Sequence, residues 1–532
     1  MPTRPSDYLI PKTISVFKEG YSLDRLKRDI VSGLTVAMVA IPLSMAIAKA
    51  SGASPDRGLV TAIIGGFLIS LLGGSRFQIG GPAGAFIVVV ASIIERQGYD
   101  GLLIATLMAG FAMILFGVFR LGSYIKYIPH PVLVGFTAGI ATIIFSSQIV
   151  DLFGLTLQDR EPAALVPKLT AIVHALNTIS PAAIFISAFS VIVILVLRRL
   201  KPHWPGFLIA IGLASVFSLI ITPFGLSVET IGTRFGGIPN SLPAPQFPIT
   251  SPERLMSLIP DAATIAFLGA IESLLSAVVA DGMTGRRHRS NMELIAQGVA
   301  NIGTALFGGI CATGTIARTA TNVRAGGTSP VAGMTHSLVL LLLILFAAQL
   351  ASYIPLASLG AILAIVSWNM AERAEFISIL KRSWPDATIL LATFILTIFR
   401  DLTEGIVVGV ILSAFIFMHR MAEATRVNGA DMTDTMITDP DTITYHMEGP
   451  LFFGVASEIA EVLDRINETP KRFVLDCSSV PLLDITGAHS LKAMVDHFHK
   501  QGTDVIFKNT NEPMRDALKR FGVLDHGARI ES

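Results

Sequence analysis

The chain has 532 residues, of which 52% are hydrophobic and 15% charged, and its formal net charge is +1 at pH 7. A mean hydropathy of +0.64 is too high for an ordinary soluble protein of this length and predicts a polytopic membrane protein. The near-neutral balance points to no nucleic-acid partner, and two cysteines, Cys311 and Cys477, support no disulfide framework; both read as small buried residues.

Residues 1–29 read as a cytoplasmic N-terminal segment. Tyr8 to Asp29 is mixed and amphipathic and lacks a cleavable signal pattern, so the first apolar helix is expected to serve as the targeting signal. About fourteen apolar stretches follow, several too short or too glycine-rich for simple 20-residue spans. They lie near 30–48, 58–73, 82–95, 101–119, 131–150, 181–197, 205–222, 261–280, 291–307, 315–323, 331–353, 355–371, 384–399 and 403–419. Alternating them across a bilayer puts roughly 19 Lys and Arg on one side against about 8 on the other, which reads as cytoplasmic with both termini inside. The basic clusters there are Arg25, Lys27 and Arg28; Arg198, Arg199 and Lys201; Arg286, Arg287 and Arg289; and Arg373, Lys381 and Arg382. The long connections Asp151–Ser180 and Pro223–Pro260, rich in proline and glycine, are expected outside as caps. The predicted transmembrane domain thus covers 30–420, in the cell's inner (cytoplasmic) membrane.

After a linker at 421–436 the pattern changes to soluble elements over 437–532. Strand-like Thr442–His446, helix-like Ser457–Arg465, a buried strand at Phe473–Cys477, a helix from Thr486, a strand at Asp504–Lys508 and a helix from Glu512 predict a small α/β domain.

Two segments break the apolar pattern in the same way: Gly73–Ala85 (GGSRFQIGGPAGA) and Gly308–Arg318 (GGICATGTIAR). Each has paired glycines, a short extended stretch, then small residues. Arg318 would sit within the bilayer, where a cation costs roughly 3 kcal/mol on insertion scales. Broken helices in corresponding halves point to a transporter, and the arginine marks an anion site.

On these residues the chain resembles the sulfate permease family of anion transporters, with a membrane domain followed by a STAS domain. The resemblance rests on GLTVAMVAIPLSMAIA (Gly33–Ala48), GGPAGAF (Gly80–Phe86), GAIESLLSAVVADGMTG (Gly269–Gly285) followed by RRHRSNMELIAQGVAN, TGTIARTATN (Thr313–Asn322) and the tail's LDCSSVPLLDITGAHSL (Leu475–Leu491). It implies fourteen spans as two inverted repeats of seven, divided between core and gate domains. Spans 3 and 10 would be half-helices meeting at the substrate, and the assembly a homodimer.

Two helix N-termini facing one another offer unpaired backbone N–H groups and positive dipole ends to an anion. Gln78, Gly80, Gly81, Ala83 and Gly84 on one side, and Gly314, Thr315, Ala317 and Arg318 on the other, are the expected substrate contacts. Pro82 suits a first-turn position. The alternative is that these glycines only permit close helix packing, and that Gln78 only bonds neighbouring backbone.

Arg318 could compensate an anion or pair with Glu272, the other ionisable group expected near mid-membrane. Resemblance places Glu272 close to substrate. Its titration would couple transport to protons; alternatively Ser273, Ser276, Thr313 and Thr315 would help coordinate sodium. A Glu272–Arg318 pair that only locks helices together is the structural alternative. Asp281 reads as an interfacial charge beside the RRHR loop. His130 and His336 read as interfacial or capping residues, with pH sensing as the alternative.

In the tail, Thr486 of Asp484-Ile485-Thr486-Gly487 matches the phosphorylated position of resembling anti-sigma factor antagonists; a helix N-cap role explains it equally. There is no HExxH, paired CxxC, P-loop or G-x-S-x-G element, so ATP-driven transport, hydrolysis, metal and cofactor chemistry have no support. The reading is a secondary active transporter of small oxyanions in a lipid bilayer, sulfate first, driven by protons or Na+. Bicarbonate and C4-dicarboxylates are alternative substrates, and an uncoupled anion channel or an anion sensor the alternative classes.

Overall fold

A computed structural model describes residues 9–532 apart from 124–128, 159–160, 163, 202–203, 225, 249, 401, 425, 430–440, 453–469 and 532. The chain divides into two compact units, Met1–Val410 and Ile411–Ser532.

The first unit is almost wholly helical. It opens with α1 (Lys12–Lys18), α2 (Leu23–Ala50) and α3 (Pro55–Leu72), followed by the short strand β1 (Gly80–Gly81). The oxygen of Ser22 caps α2 by accepting from Arg25 N, and Pro55 opens α3 at the position where its missing N–H is harmless. A single 3-10 turn at Gly84–Phe86 leads into α4 (Ile87–Val118), which Gly98, at φ 73°, divides in two. Then come α5 (His130–Phe153), α6 (Leu165–His174), α7 (Pro181–Leu200), α8 (Gly206–Ile221), α9 (Ile231–Phe235), α10 (Pro252–Ser257), α11 (Ile259–Thr284) and α12 (Ser290–Leu306). Strand β2 (Thr313–Gly314) precedes α13 (Ile316–Arg324), α14 (Val331–Ala351), α15 (Leu356–Met370), α16 (Arg373–Arg382) and α17 (Trp384–Phe399), and α18 (Leu402–Ala424) runs on from the first unit into the second.

Each predicted apolar stretch falls on one of these helices, the third and fourth on the two halves of α4. Among the described residues, nine helices are long and apolar enough to cross a membrane, so the chain is a multi-pass membrane protein. The connections predicted as proline- and glycine-rich caps also carry α6, which is apolar but only ten residues long, and the short helices α9 and α10.

The packing is self-similar. Helix α4 lies on α11 and α12, while α14 lies on α2 and α3; α5 contacts α15 and α17, while α15 contacts α5 and α7. Exchanging the first half of the unit for the second maps each set of neighbours onto the other. Close approach is purchased with small residues: a Cβ on Gly298 would fall 2.4 Å from Gly110 O, and one on Gly110 2.7 Å from Gly298 O. Strands β1 and β2 pair antiparallel, Gly80 with Gly314 and Gly81 with Thr313, where the two halves cross.

The second unit contains a five-stranded sheet, β3 (Arg426–Gly429), β4 (Thr442–Glu448), β5 (Arg472–Ser479), β6 (Asp504–Lys508) and β7 (Arg529–Glu531), in spatial order 3-4-5-6-7. Strand β3 is antiparallel to β4 and the other neighbours are parallel. Helices α19 (Ile485–Lys500) and α20 (Glu512–Arg520) follow β5 and β6, and the Phe473 and Phe498 rings stack 4.4 Å apart in its core. The predicted strands and the last two helices are all present; β3 and β7 were not anticipated, and the predicted helix Ser457–Arg465 lies outside the described residues. Thr486 does not cap α19. Asp484 does, accepting from Gly487 N at 2.7 Å, because a carboxylate two residues earlier sits where the first turn presents its N–H groups.

Candidate functional site

The crossing of β1 and β2 is built from the two glycine-rich breaks. Thr315 N and Thr315 Oγ1 both donate to Ile79 O, at 2.9 and 3.2 Å. In return Ile79 N donates to Thr319 Oγ1 at 3.1 Å and Asn322 Nδ2 to Phe77 O at 2.8 Å. The extended stretch before β1 is thus clamped along one polar face of α13. Thr315, Thr319 and Asn322 recur at helical spacing in TGTIARTATN, a stripe that could have been read from sequence but was not.

Arg318 lies in the first turn of α13, fully buried. Its Nη2 donates to Ser44 Oγ at 3.1 Å and to Pro82 O at 3.2 Å, while Nε and Nη1 have no hydrogen-bond partner among the described residues. The guanidinium lies against Gly81: a Cβ there would fall 2.1 Å from Nη1, at a φ of +152°. Gln78, 3% exposed, also leaves Oε1 and Nε2 unpartnered, and its amide lies over Gly314. It makes none of the backbone bonds that were the alternative reading. Buried polar groups without partners are costly, and here the cation packs against Gly81 of β1 and the amide against Gly314 of β2.

The expected pairing of Arg318 with Glu272 is not made. Among the described residues Glu272 has neither hydrogen bond nor ion pair; it is half-buried on α11, between Gly269, whose carbonyl accepts from Thr313 Oγ1 at 3.2 Å, and Ser276, whose hydroxyl donates to Thr319 Oγ1 at 3.1 Å. Residues 269, 272 and 276 share one helix face, so Glu272 borders β2 and α13 while its carboxylate stays unspent. Ser273 Oγ donates to Ala270 O at 3.3 Å. The hydroxyls of Ser273, Ser276, Thr313 and Thr315 all donate to protein oxygens.

The remaining candidates divide. Ala83 is buried and extended, at φ −117° and ψ 149°, so the first turn starts at Gly84 and Pro82 lies outside it, offering its carbonyl to Arg318. Gly84 faces α5 and α15, where a Cβ would meet Ile144 Cδ1 at 3.5 Å and Met370 Sδ at 3.8 Å. Ala317 is exposed, turned away from its buried neighbour Arg318. Asp281 accepts from His288 N at 3.0 Å and lies 2.7 Å from His288 Nδ1, an anchor for the basic loop. His130 sits at the exposed start of α5, 3.3 Å from Glu375. His336 departs from its reading: it is fully buried on α14, and neither ring nitrogen has a partner. It sits six residues into a helix that packs on α2 and α3, so it has no terminus to cap.

A separate cavity of about 960 Å³ is lined by charged residues including Lys49, Asp151, Glu161, Lys168, Glu229 and Arg234. Lys49 pairs with Asp151, and Lys168 with Glu161 at 3.1 Å. Gln78, Glu272 and Arg318 are not among its lining residues. The chemistry of unpartnered groups places the candidate site at the strand crossing instead.

Comparison with known proteins agrees with this architecture. Residues 26–393 match the Sulfate permease family and residues 435–531 the STAS domain. The chain is 40% identical over 509 residues to YvdB of Bacillus subtilis, whose sulfate-transporter name is provisional, covering 95% of this chain and 96% of that protein. It is 31% identical to the bicarbonate transporter BicA of Synechocystis, covering 94% and 91%. Among solved structures, the transmembrane domain of a cyanobacterial BicA matches with a TM-score of 0.65 and 33% identity, over 72% of this chain and 98% of that one. The murine Solute Carrier 26 family member A9 anion transporter shares the fold, with a TM-score of 0.86 at 19% identity over 99% and 92%. The chain belongs to the sulfate permease family, as a multi-pass membrane protein with a C-terminal STAS domain.

Proposed function

We propose that this protein is a secondary active transporter, and not an enzyme, that carries small oxyanions across the cytoplasmic membrane, sulfate first, by proton-coupled uptake. The observation that carries the reading is the buried Arg318 guanidinium against Gly81 of β1, without an ion pair among the described residues, together with the unpartnered Gln78 amide over Gly314 of β2. A charge held at this depth without a counter-ion is poised for an anionic ligand. The helix N-termini after Gly81 and Gly314 add dipole ends, with Ala83, Gly84 and Ala317 as the proposed backbone contacts and Thr315, whose N–H is held by Ile79 O, lining the crossing.

Glu272 is the proposed proton carrier. Its carboxylate borders the same crossing and has no partner to release on protonation among the described residues. Sodium coupling is the alternative, with Ser273, Ser276 and Thr313 as ligands; their donation to protein oxygens leaves lone pairs for a cation. Transport would proceed by alternating access, as the bundle of α2–α4 and α11–α14 is displaced against α5, α7, α8, α15, α17 and α18. A site at the boundary of those two groups is supported by Gly84, where a Cβ would meet Ile144 Cδ1 and Met370 Sδ. We assign transport to residues 30–420, a linker to 421–436 and a regulatory or assembling STAS domain to 437–532, with both termini cytoplasmic and a homodimeric assembly. Phosphorylation of Thr486, beside the α19 N-terminus, is a further proposal for that domain.

A bicarbonate reading is favoured by one observation: two of the relatives over most of the chain are bicarbonate transporters. Uptake of radiolabelled sulfate into proteoliposomes, with bicarbonate, succinate and fumarate as competitors, separates the substrates. Sulfate flux weakly affected by competitors supports the first reading; flux of bicarbonate without sulfate replaces it with the second.

A further inference from the structure

Away from the strand crossing, α1 is held against the end of α3 by two arginines. Arg289 Nη1 donates to Ile10 O and to Ser15 Oγ, both at 2.8 Å, and Arg76 Nη2 pairs with Glu19 just beyond the other end of α1. Lys12 N donates to Gly73 O at 2.9 Å, and Arg289 N to Gly74 O at the same distance. These bonds bring Lys12, the Gly73–Arg76 stretch and Arg289 together beside the basic Arg286–Arg289 loop.

Among the described residues, the carboxylates that act on Lys12 there are Asp281 and Glu19. Arg289 and Arg76 act on the Lys12 ammonium more strongly than the carboxylates facing it, Asp281 and Glu19. Of those, Asp281 is already engaged by His288, and Glu19 is about half exposed. Arg76 is only 8% exposed, yet its Nη1 has no hydrogen-bond partner. Lys12 makes no ion pair among the described residues. Burial, then Arg289 and Arg76, push its ammonium down to about 8, as expected where positive potential exceeds its compensation.

We propose that Lys12, Arg76 and Arg289 form a second anion site, for a phosphate- or sulfate-class oxyanion carried by a lipid headgroup or free in solution. Arginine forks and an ammonium match the oxygens of a tetrahedral anion. The exposed apolar side chains of α1 and its approach, Leu9, Ile14 and Phe17, would set the site at headgroup level. Arg76 also lies in the extended stretch that leads directly to β1, so an anion held there braces the strand that forms the crossing.

The test uses the full chain in detergent and reads its thermal unfolding midpoint. One arm adds phosphatidylglycerol against phosphatidylcholine; the other adds sodium sulfate against sodium chloride at matched ionic strength. Wild type, Lys12→Gln and Arg318→Ala are compared, Lys12→Gln being the mild variant because the α1 backbone contacts do not use its ammonium. The proposal expects a rise of several degrees in at least one arm, reduced at least by half in Lys12→Gln and retained in Arg318→Ala. A rise with phosphatidylglycerol alone assigns the site to lipid, and a rise with sulfate assigns it to the free anion. No rise in either arm, an undiminished rise in Lys12→Gln, or its loss in Arg318→Ala would overturn it.

Discussion

The Gln78 amide lies over the α-carbon of Gly314, so near that a Cβ at 314 would fall 1.6 Å from Nε2 and 2.4 Å from Cδ. Any side chain at 314 must therefore displace the amide that the proposed site uses. Gly314→Ala is expected to leave a folded protein, since a flexible side chain gives way, but to lower anion affinity about tenfold, the scale of one hydrogen bond to a charged group. The double variant with Gln78→Ala should be no worse than either single one. Isothermal titration with sulfate across this mutant cycle checks the coupling; additive losses would separate the two residues.

Arg318 supplies the positive charge we assign to the crossing. Arg318→Ala should weaken sulfate binding by about 10- to 100-fold. Arg318→Lys should not restore it, because an ammonium bonded to Ser44 and Pro82 keeps one N–H for a ligand where the guanidinium keeps three in a planar fork. Equilibrium binding in detergent distinguishes the two variants, and full recovery in the lysine variant would contradict a role for guanidinium geometry.

Glu272 has no hydrogen bond or ion pair to lose among the described residues, so Glu272→Gln should spare folding and sulfate binding. Accumulation driven by a proton gradient should disappear while sulfate exchange across the membrane persists. Parallel gradient-driven and counterflow assays read this split. Retention of full proton-driven accumulation would remove Glu272 as the carrier.

Much of this arrangement is legible in the chain, and the parts that are not have physical causes. Long apolar runs fix where helices lie, and the paired glycines locate the crossing, since both are properties of local sequence. Partner choice is not local. Arg318 and Glu272 invite a pairing on charge alone, yet Arg318 turns to Ser44 and Pro82, which lie 274 and 236 residues away in sequence. His336 reads as interfacial when judged by residue type, but the packing of α14 on α2 and α3 buries it. Short polar helices such as α1 and α9 and the edge strands β3 and β7 lack enough periodic residues to announce themselves.

In the STAS domain, Asp484 rather than Thr486 caps α19. Asp484→Ala is expected to destabilise the domain by about 1 kcal/mol, the usual worth of an N-cap, and Thr486→Ala by less. Thermal unfolding followed by circular dichroism on the two variants gives the order, and a larger loss in Thr486→Ala would contradict the cap assignment.

Lys12 gives a pH dependence with a definite sign. Its ammonium titrates near 8 in the folded protein, below its ordinary value of 10.5, so between those values the unfolded chain binds more protons. Folded stability should therefore gain from this group as pH rises from about 8 to about 10.5, modestly, because the side chain is only partly buried. Thermal midpoints across that range should rise less in Lys12→Gln than in wild type. An equal or steeper rise in the variant would contradict the assignment.

The central claim is that a proton gradient drives an oxyanion through the crossing of β1 and β2. Its most direct test is radiolabelled sulfate accumulation by wild-type proteoliposomes under an inward proton gradient, with a protonophore control and Arg318→Ala alongside. The account predicts internal sulfate above the external concentration, collapse to equilibrium with the protonophore, and loss of uptake in Arg318→Ala. Sulfate that only equilibrates, fails to enter, or enters equally well through Arg318→Ala would contradict it.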